Sequence, residues 1–295
     1  MAGRISVAKT YKLYVNGQFP RSESGRSFSV NDTKGTPIAN MCLGSRKDVR
    51  DAVSAARKAF KPWAARTAFN RGQILYRIAE MLEGRKDQFM NELQLMGASQ
   101  RTALKEITCS IDRLVYYAGW CDKYQSVFST INPVASPHFN FSLPEPTGVV
   151  AALCPPSYGL IGIVSVMAPL IAGGNTCVLI ASYEKPLSAI TFGEVLHVSD
   201  LPAGVVNIIT GRKEELAPTL SEHMDVNAMV LSEKNNTLKT LIQQNASRNV
   251  KRVILYEDVD WMSDDAQSPY SILDAQEVKT TWHPIETYGG SGSAY

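Results

Sequence analysis

Apolar runs and helix-period segments alternate through the second half of the chain. The runs are GVVAALC (148–154), NTCVLIA (175–181), VVNII (205–209), NAMVL (227–231) and KRVILYE (251–257). Strands that are apolar almost throughout, joined by helical crossovers, predict a parallel sheet covered on both faces. That pattern specifies an α/β fold with a doubly wound, Rossmann-like sheet, whose ligand crevice lies at the carboxyl ends of the strands.

The first half reads differently. Residues 11–42 alternate short apolar runs with turn residues and predict paired strands joined at Asn16-Gly17 and Lys34-Gly35. Ser45 with Asp48 forms a capping box, opening a helix with Val49, Ala52, Val53, Ala56 and Phe60 on one stripe and Pro62 at its end. A second helix from about Asn70 aligns Ile74, Leu75, Ile78 and Leu82. A third from about Thr102 aligns Leu104, Ile107, Ile111, Leu114 and Ala118. Residues 129–146 are punctuated by proline and carry the alternating run His138-Phe139-Asn140-Phe141-Ser142, which predicts a projecting hairpin whose apolar face needs a partner. Beyond Asp258 the chain turns polar, Glu277–Glu286 reads as a last edge strand, and the tail from Tyr288 is expected to be disordered.

Composition narrows the function classes. The chain has 295 residues, 44% hydrophobic and 20% charged, which suits an ordinary globular fold. Thirty basic and 28 acidic residues nearly cancel, and no basic run supports a nucleic-acid or membrane-surface role. Cys42, Cys109, Cys121, Cys154 and Cys177 are widely spaced without a CxxC pair, so reduced thiols in the cytoplasm are expected rather than disulfides or zinc. The basic start lacks the apolar core of a secretory signal, while a short organellar transit peptide stays open. The longest apolar stretch, 160–172, is too short to span a bilayer.

Several ordered segments carry a family resemblance: YKLYVNGQF, SRKDVRDAVSAARKAFKPW, RGQILYRIAEMLEGR, EPTGVVAAL, APLIAGGNTCVL and LPAGVVNIITG. In this order and spacing they resemble the N-terminal, cofactor-binding domain of the aldehyde dehydrogenase superfamily over Tyr11 to Asp260. The short length and the WHPIE ending are similar to the silent second half of the double-length family 16 aldehyde dehydrogenases. The resemblance implies a division into a tail (1–10), N-terminal strands and helices (11–128), an oligomerisation arm (129–147 with 277–287), a Rossmann-like sheet (148–260) and a disordered tail (288–295). A catalytic half would follow the point where this chain ends, so none is expected.

The resemblance also implies where chemistry would sit, and each position is altered. The oxyanion asparagine of the family's Pro-Trp-Asn motif falls on Ser157 within Pro155-Pro156-Ser157-Tyr158. Losing a well-placed oxyanion donor costs about 3 kcal/mol of transition-state stabilisation. The lysine and glutamate that hold the adenosine ribose fall on Ile180 and Tyr183, flanking Ser182. The small-residue turn that admits the pyrophosphate falls on Leu231-Ser232-Glu233-Lys234, where Glu233 adds bulk and negative charge and Lys234 could compensate. The segment supplying the general base is missing between Val253 and Asp258. No cysteine follows Cys177, so the nucleophile is missing as well.

Plainer readings cover the other candidates. Cys154 ends an apolar strand without a nearby histidine and reads as a buried structural thiol. Ser157 lacks the Gly-x-Ser-x-Gly elbow of a hydrolase. His138, His197, His223 and His283 are isolated. Gly173-Gly174-Asn175 reads as a helix C-cap feeding a strand, and Glu214-Glu215 as complementing a helix dipole.

The expectation is a catalytically degenerate, aldehyde-dehydrogenase-like subunit with a structural or regulatory role. Its partner would be a full-length aldehyde dehydrogenase or a second copy, met through Phe139, Phe141 and Trp282. Nucleic acid and membrane are not expected partners. No catalytic residue and no metal are expected. No cofactor is expected either, with NAD or NADP at low affinity as the alternative across the altered positions Pro156, Ser157, Ile180, Ser182, Tyr183, Ser232 and Glu233. Two competing readings are an NAD(P)-binding oxidoreductase with a non-standard or partner-completed site, and a small-ligand module using the old cleft.

Overall fold

The computed structural model describes residues 7–285 and consists of three sheets and the helices packed on them. Strands β1 (Lys9–Tyr11), β2 (Ser27–Asn31) and β3 (Pro37–Cys42) form a small sheet in the order β1-β3-β2. Residues 9 and 10, expected to belong to a tail, thus enter a strand paired parallel with β3. What holds them is the Tyr11 hydroxyl, which donates to Glu92 Oε1 at 2.8 Å, beside Thr191 Oγ1 at 2.6 Å. Burial raises the Glu92 carboxyl above its ordinary range, and these two donors only partly oppose it. The Asn16-Gly17 turn has positive φ at both residues, 52° and 69°, the geometry that closes a two-residue turn.

Five helices follow: α1 (Arg46–Ala64), α2 (Ala68–Glu83), α3 (Lys86–Leu95), α4 (Gln100–Trp120) and α5 (Tyr124–Phe128). The capping box forms as predicted, with Ser45 and Asp48 exchanging hydrogen bonds. Pro62 does not end α1, which continues to Ala64. Trp63, buried in the core, donates from Nε1 to Ile171 O at 3.1 Å and secures that last turn. In α4 the inner stripe is Ala103, Glu106, Ile107, Ser110, Arg113 and Leu114, whereas Leu104 faces out at 49% exposure. The expected stripe was displaced because three polar residues point inward with specific partners. Helices α3 and α5 lacked a sequence signal strong enough to predict.

Next come the arm strands β4 (Thr130–Asn132) and β5 (His138–Pro146), then the main sheet. That sheet contains β6 (Val149–Leu153), β7 (Thr176–Ile180), β8 (Val206–Ile209), β9 (Ala228–Leu231) and β10 (Arg252–Leu255), all parallel. The order β10-β9-β6-β7-β8 reverses direction between β6 and β9, the topological switch point. Helices α6 (Ile161–Ala172), α7 (Leu187–His197), α8 (Lys213–Glu222) and α9 (Asn236–Ser247) make the crossovers. Side chains alternate across the strands. Val150, Ala152, Leu179 and Ile208 pack into one core with α6 and α7, and Val149, Ala151, Val178 and Ile180 into the other with α1 and α8. Gly173 caps α6, and Gly174 takes φ +89° to feed β7, as read from the sequence.

Finally α10 (Tyr270–Leu273) leads into β11 (Gln276–Pro284), which pairs antiparallel with β5 to complete the arm sheet β11-β5-β4. The last strand therefore ends at Pro284. The expected Glu286 and the tail from Tyr288 lie outside the described residues. Among those residues no helix is long and apolar enough to cross a membrane.

Candidate functional site

The carboxyl ends of β6, β9 and β10 open onto a cleft of about 690 Å³ at the switch point. Its walls are the loop after β6 (Pro155–Tyr158), the loop after β9 (Ser232–Lys234) and the segment after β10 (Tyr256–Trp261). A smaller cavity of about 180 Å³ lies toward β7 and β8, bounded by Ile180, Ser182, Tyr183, Arg212 and Lys213. Pro156 borders both. Every altered position named from the sequence therefore faces one of these two spaces.

Ser157 is exposed on the wall of the larger cleft, and Pro156 is half-buried. Ser182 is buried; its hydroxyl donates to Pro156 O at 2.5 Å and accepts from Lys185 N at 3.0 Å, so its capacity serves the loop itself. Ile180 is only 2% exposed and belongs to the apolar core beneath the sheet. Tyr183 stacks on Phe28 of β2 with ring centroids 4.6 Å apart, and the Arg212 guanidinium lies 4.9 Å above its other face. An aromatic ring held by a second ring and a cation thus lines the smaller cavity.

Glu233 organises the boundary between the two spaces. Its side chain is almost fully buried, and Oε1 accepts from Asn235 N at 2.8 Å, at the start of α9. Asn235 itself caps that helix through Leu238 N. A carboxylate at a helix N-terminus meets unsatisfied N–H groups and the positive end of the helix dipole. The cation facing it is Lys213, the first residue of α8, whose Nζ forms an ion pair with Glu233 Oε2. Lys234, expected to compensate, instead pairs with Asp258 at 3.3 Å, both groups being exposed. The reason is direction: the loop turns the Glu233 side chain inward toward α8 and leaves Lys234 in solvent. Ser232 is buried, and its hydroxyl has no hydrogen-bond partner among the described residues.

A second internal carboxylate was not anticipated. Helix α6 has no side-chain cap of its own. Glu106, reaching from α4 and 2% exposed, accepts from Leu160 N at 2.7 Å and Ile161 N at 3.2 Å. The helix ends that follow β6 and β9 therefore both hold an anion supplied by the chain. The signal in the sequence was a glutamate flanked by inward-facing Ala103 and Ile107. Arg113, also missed, pins the cleft's far wall by donating to Ser165 Oγ, Trp261 O and Ser263 O.

Cys154 is buried, and burial pushes its thiol up to about 12, far from a nucleophilic thiolate at neutral pH. Among the described residues, no group of His, Cys, Asp and Glu has the arrangement to hold a metal.

In the arm, Phe139 and Phe141 lie on one face with ring centroids 5.5 Å apart. Trp282 is paired with Asn140 and so lies on the opposite face, edge-on to His138 at 5.7 Å. The three aromatics named from the sequence do not form one patch.

Comparison with known proteins agrees with this geometry. Residues 19–257 match the aldehyde dehydrogenase family. The mitochondrial 10-formyltetrahydrofolate dehydrogenase of Mus musculus is 34% identical over 258 residues, covering 85% of this chain and 28% of the relative. The mitochondrial benzaldehyde dehydrogenase of Antirrhinum majus is 34% identical over 250 residues, covering 83% of this chain and 46% of the relative. Among solved structures, the NAD+ complex of aldehyde dehydrogenase from Bacillus cereus superposes with a TM-score of 0.79 at 27% identity, covering 84% of this chain and 51% of that one. The chain thus spans about half or less of the proteins it matches. It belongs to the aldehyde dehydrogenase family.

Proposed function

We propose that this chain is a catalytically degenerate member of the family that serves as a structural or regulatory subunit, with its dinucleotide groove closed by its own side chains. The observation that carries the reading is the Glu233 carboxylate at the start of α9, bonded to Asn235 N and paired with Lys213. A pyrophosphate bound there would meet a buried anion of its own sign, in surroundings where such repulsion is poorly screened. The ribose side offers apolar Ile180 and a stacked Tyr183 where charged hydrogen-bonding groups would be needed. These residues do not fit NAD or NADP, so no step through a dinucleotide is assigned to them. Removing aldehyde chemistry while keeping the packed sheet leaves assembly as the property the chain can still supply, through the arm sheet.

Calorimetric titration of the chain with NAD and NADP tests the reading. No heat at millimolar cofactor is expected. Micromolar binding to the unaltered chain would sink it. Glu233→Ser is expected to bind measurably more tightly than the parent, because it removes the occupying anion and leaves Lys213 free.

A further inference from the structure

At the amino end of the main sheet, opposite the cleft, one buried lysine is left without an acid. Lys251 directly precedes β10 and is 9% exposed, and its buried Nζ has no hydrogen-bond partner among the described residues. Its direction follows from the strand. Arg252 points toward α10 and β11, donating to Asp274 O and Gln276 O, so Lys251 turns to the other face. Val253 shares that face and packs against the core containing Leu220 of α8 and Ile242 of α9. The backbone fixes this entry, since Val250 takes φ 57° and Lys251 N donates to Ala246 O at 3.0 Å.

The carboxylates at this end are engaged by arginines. Asp225 pairs with Arg57 at 3.6 Å, and Glu222 with Arg248 at 4.0 Å. Arg57 also donates from Nη2 to Asn227 Oδ1 at 2.6 Å, while its buried Nε has no hydrogen-bond partner among the described residues. Asn227 precedes Ala228, the register partner of Arg252, and so lies beside Lys251 in the sheet. His223 accepts from Asp225 N at Nδ1, 3.2 Å away, which leaves its ring proton on Nε2. Burial lowers the His223 imidazole below its ordinary range, and the charges of Lys251, Arg50 and Arg57 add to that while Asp225 opposes it. Three cations therefore share one neighbourhood with His223. Burial also lowers the Lys251 ammonium, which makes its neutral, nucleophilic form easier to reach.

We propose that Lys251 is a carbamylation site, which takes up carbon dioxide as a carbamate facing Arg57, Arg50 and His223. Burial selects the reagent: a modifying enzyme or a bulky acyl donor cannot reach this Nζ, whereas carbon dioxide is small, uncharged and apolar. The neutral Nζ forms a bond to the carbon of carbon dioxide, one C=O electron pair moves onto oxygen, and the nitrogen releases one proton to water. Nothing is oxidised or reduced. The product replaces an unpaired buried cation with an anion among cations, for which Arg57 Nε and His223 Nε2 are unused donors.

Carbon NMR of the full chain in sealed, mildly alkaline buffer with isotope-labelled bicarbonate tests the site, with urea unfolding in the same buffer. A carbamate resonance is expected that disappears in Lys251→Arg, which keeps the charge but has no primary amine. Bicarbonate at about ten times its apparent dissociation constant should lower the unfolding constant of the unaltered chain about tenfold. Sodium nitrate at equal ionic strength should not. Lys251→Met should lose the bicarbonate response and buries no charge, so the comparison survives an arginine variant that fails to fold. Coincident spectra of the unaltered chain and the variants would overturn the proposal. So would equal stabilisation by nitrate, which would make the lysine a simple anion site. The NAD titration has no bearing on this outcome, because the cleft lies at the other end of the sheet.

Discussion

The cleft at the end of the main sheet and the open edge of the arm handle polar groups in opposite ways. At the cleft, the chain answers its own helix N-termini: Glu106 takes Leu160 N and Ile161 N, and Glu233 takes Asn235 N. At the arm, nothing within the described residues bonds to the outward amides of Val278, Thr280 and Trp282. Buried polar groups are expensive to leave unpaired, and at these two helix ends the chain itself supplies the acceptor. A long flat edge left unpaired is a liability that folds usually suppress. The contrast separates a place where the chain answers its own polar groups from one where its backbone groups are left unanswered among the described residues.

The comparison breaks most sharply if a family-like charge is returned to the closed side. Ile180→Lys should cost about 3 kcal/mol of stability, since the ammonium enters an apolar core with no carboxylate prepared for it. Urea unfolding measures this, and a neutral result would mean the groove retains room for the family's contact. Lys213→Met should cost about 2 kcal/mol by leaving Glu233 buried and opposed only by the helix end. An added Glu233→Gln should recover most of that loss.

Glu92→Gln probes the tether on β1 through pH. Because burial raises the Glu92 carboxyl, the folded chain holds that proton more tightly than the unfolded chain does. The stabilising contribution is full below the ordinary carboxylate range and is lost as pH rises through the raised value. The variant should flatten the dependence of the urea midpoint on pH above the ordinary carboxylate range. An unchanged slope would place the pH dependence elsewhere. The smallest effect belongs to the arm: Val278→Arg should change the stability of the isolated chain by less than about 0.5 kcal/mol, because its side chain is exposed. A larger loss would show that the edge already packs on its own chain.

Much of the fold was legible because its signals are local. Five apolar runs became the five parallel strands, and Ser45 with Asp48 formed the box their spacing announced. The altered positions fall at one end of the sheet because each lies at or just beyond the carboxyl end of a strand, which topology alone guarantees. What the sequence hid depends on distant partners. Lys213 and Glu233 lie on different crossovers, and Lys234 was the nearer cation along the chain though not in space. Inward polar residues such as Glu106 and Arg113 broke the apolar stripe of α4 and shifted its predicted face by one position. Residue 282 was foreseen as a contact, but its face depends on the register with β5, which no local pattern sets.

The Lys213–Glu233 pair carries a historical consequence. A glutamate arriving first at position 233 would have been an uncompensated anion in the interior, whereas a lysine at position 213, 28% exposed, could have been carried beforehand at little expense. The same asymmetry makes reversal directional. Lineages that lose Lys213 while keeping Glu233 should be rare, and, on the proposed reading, a dinucleotide would gain access only after position 233 changed. One ion pair thereby constrains the order in which substitutions at the cleft can be accepted.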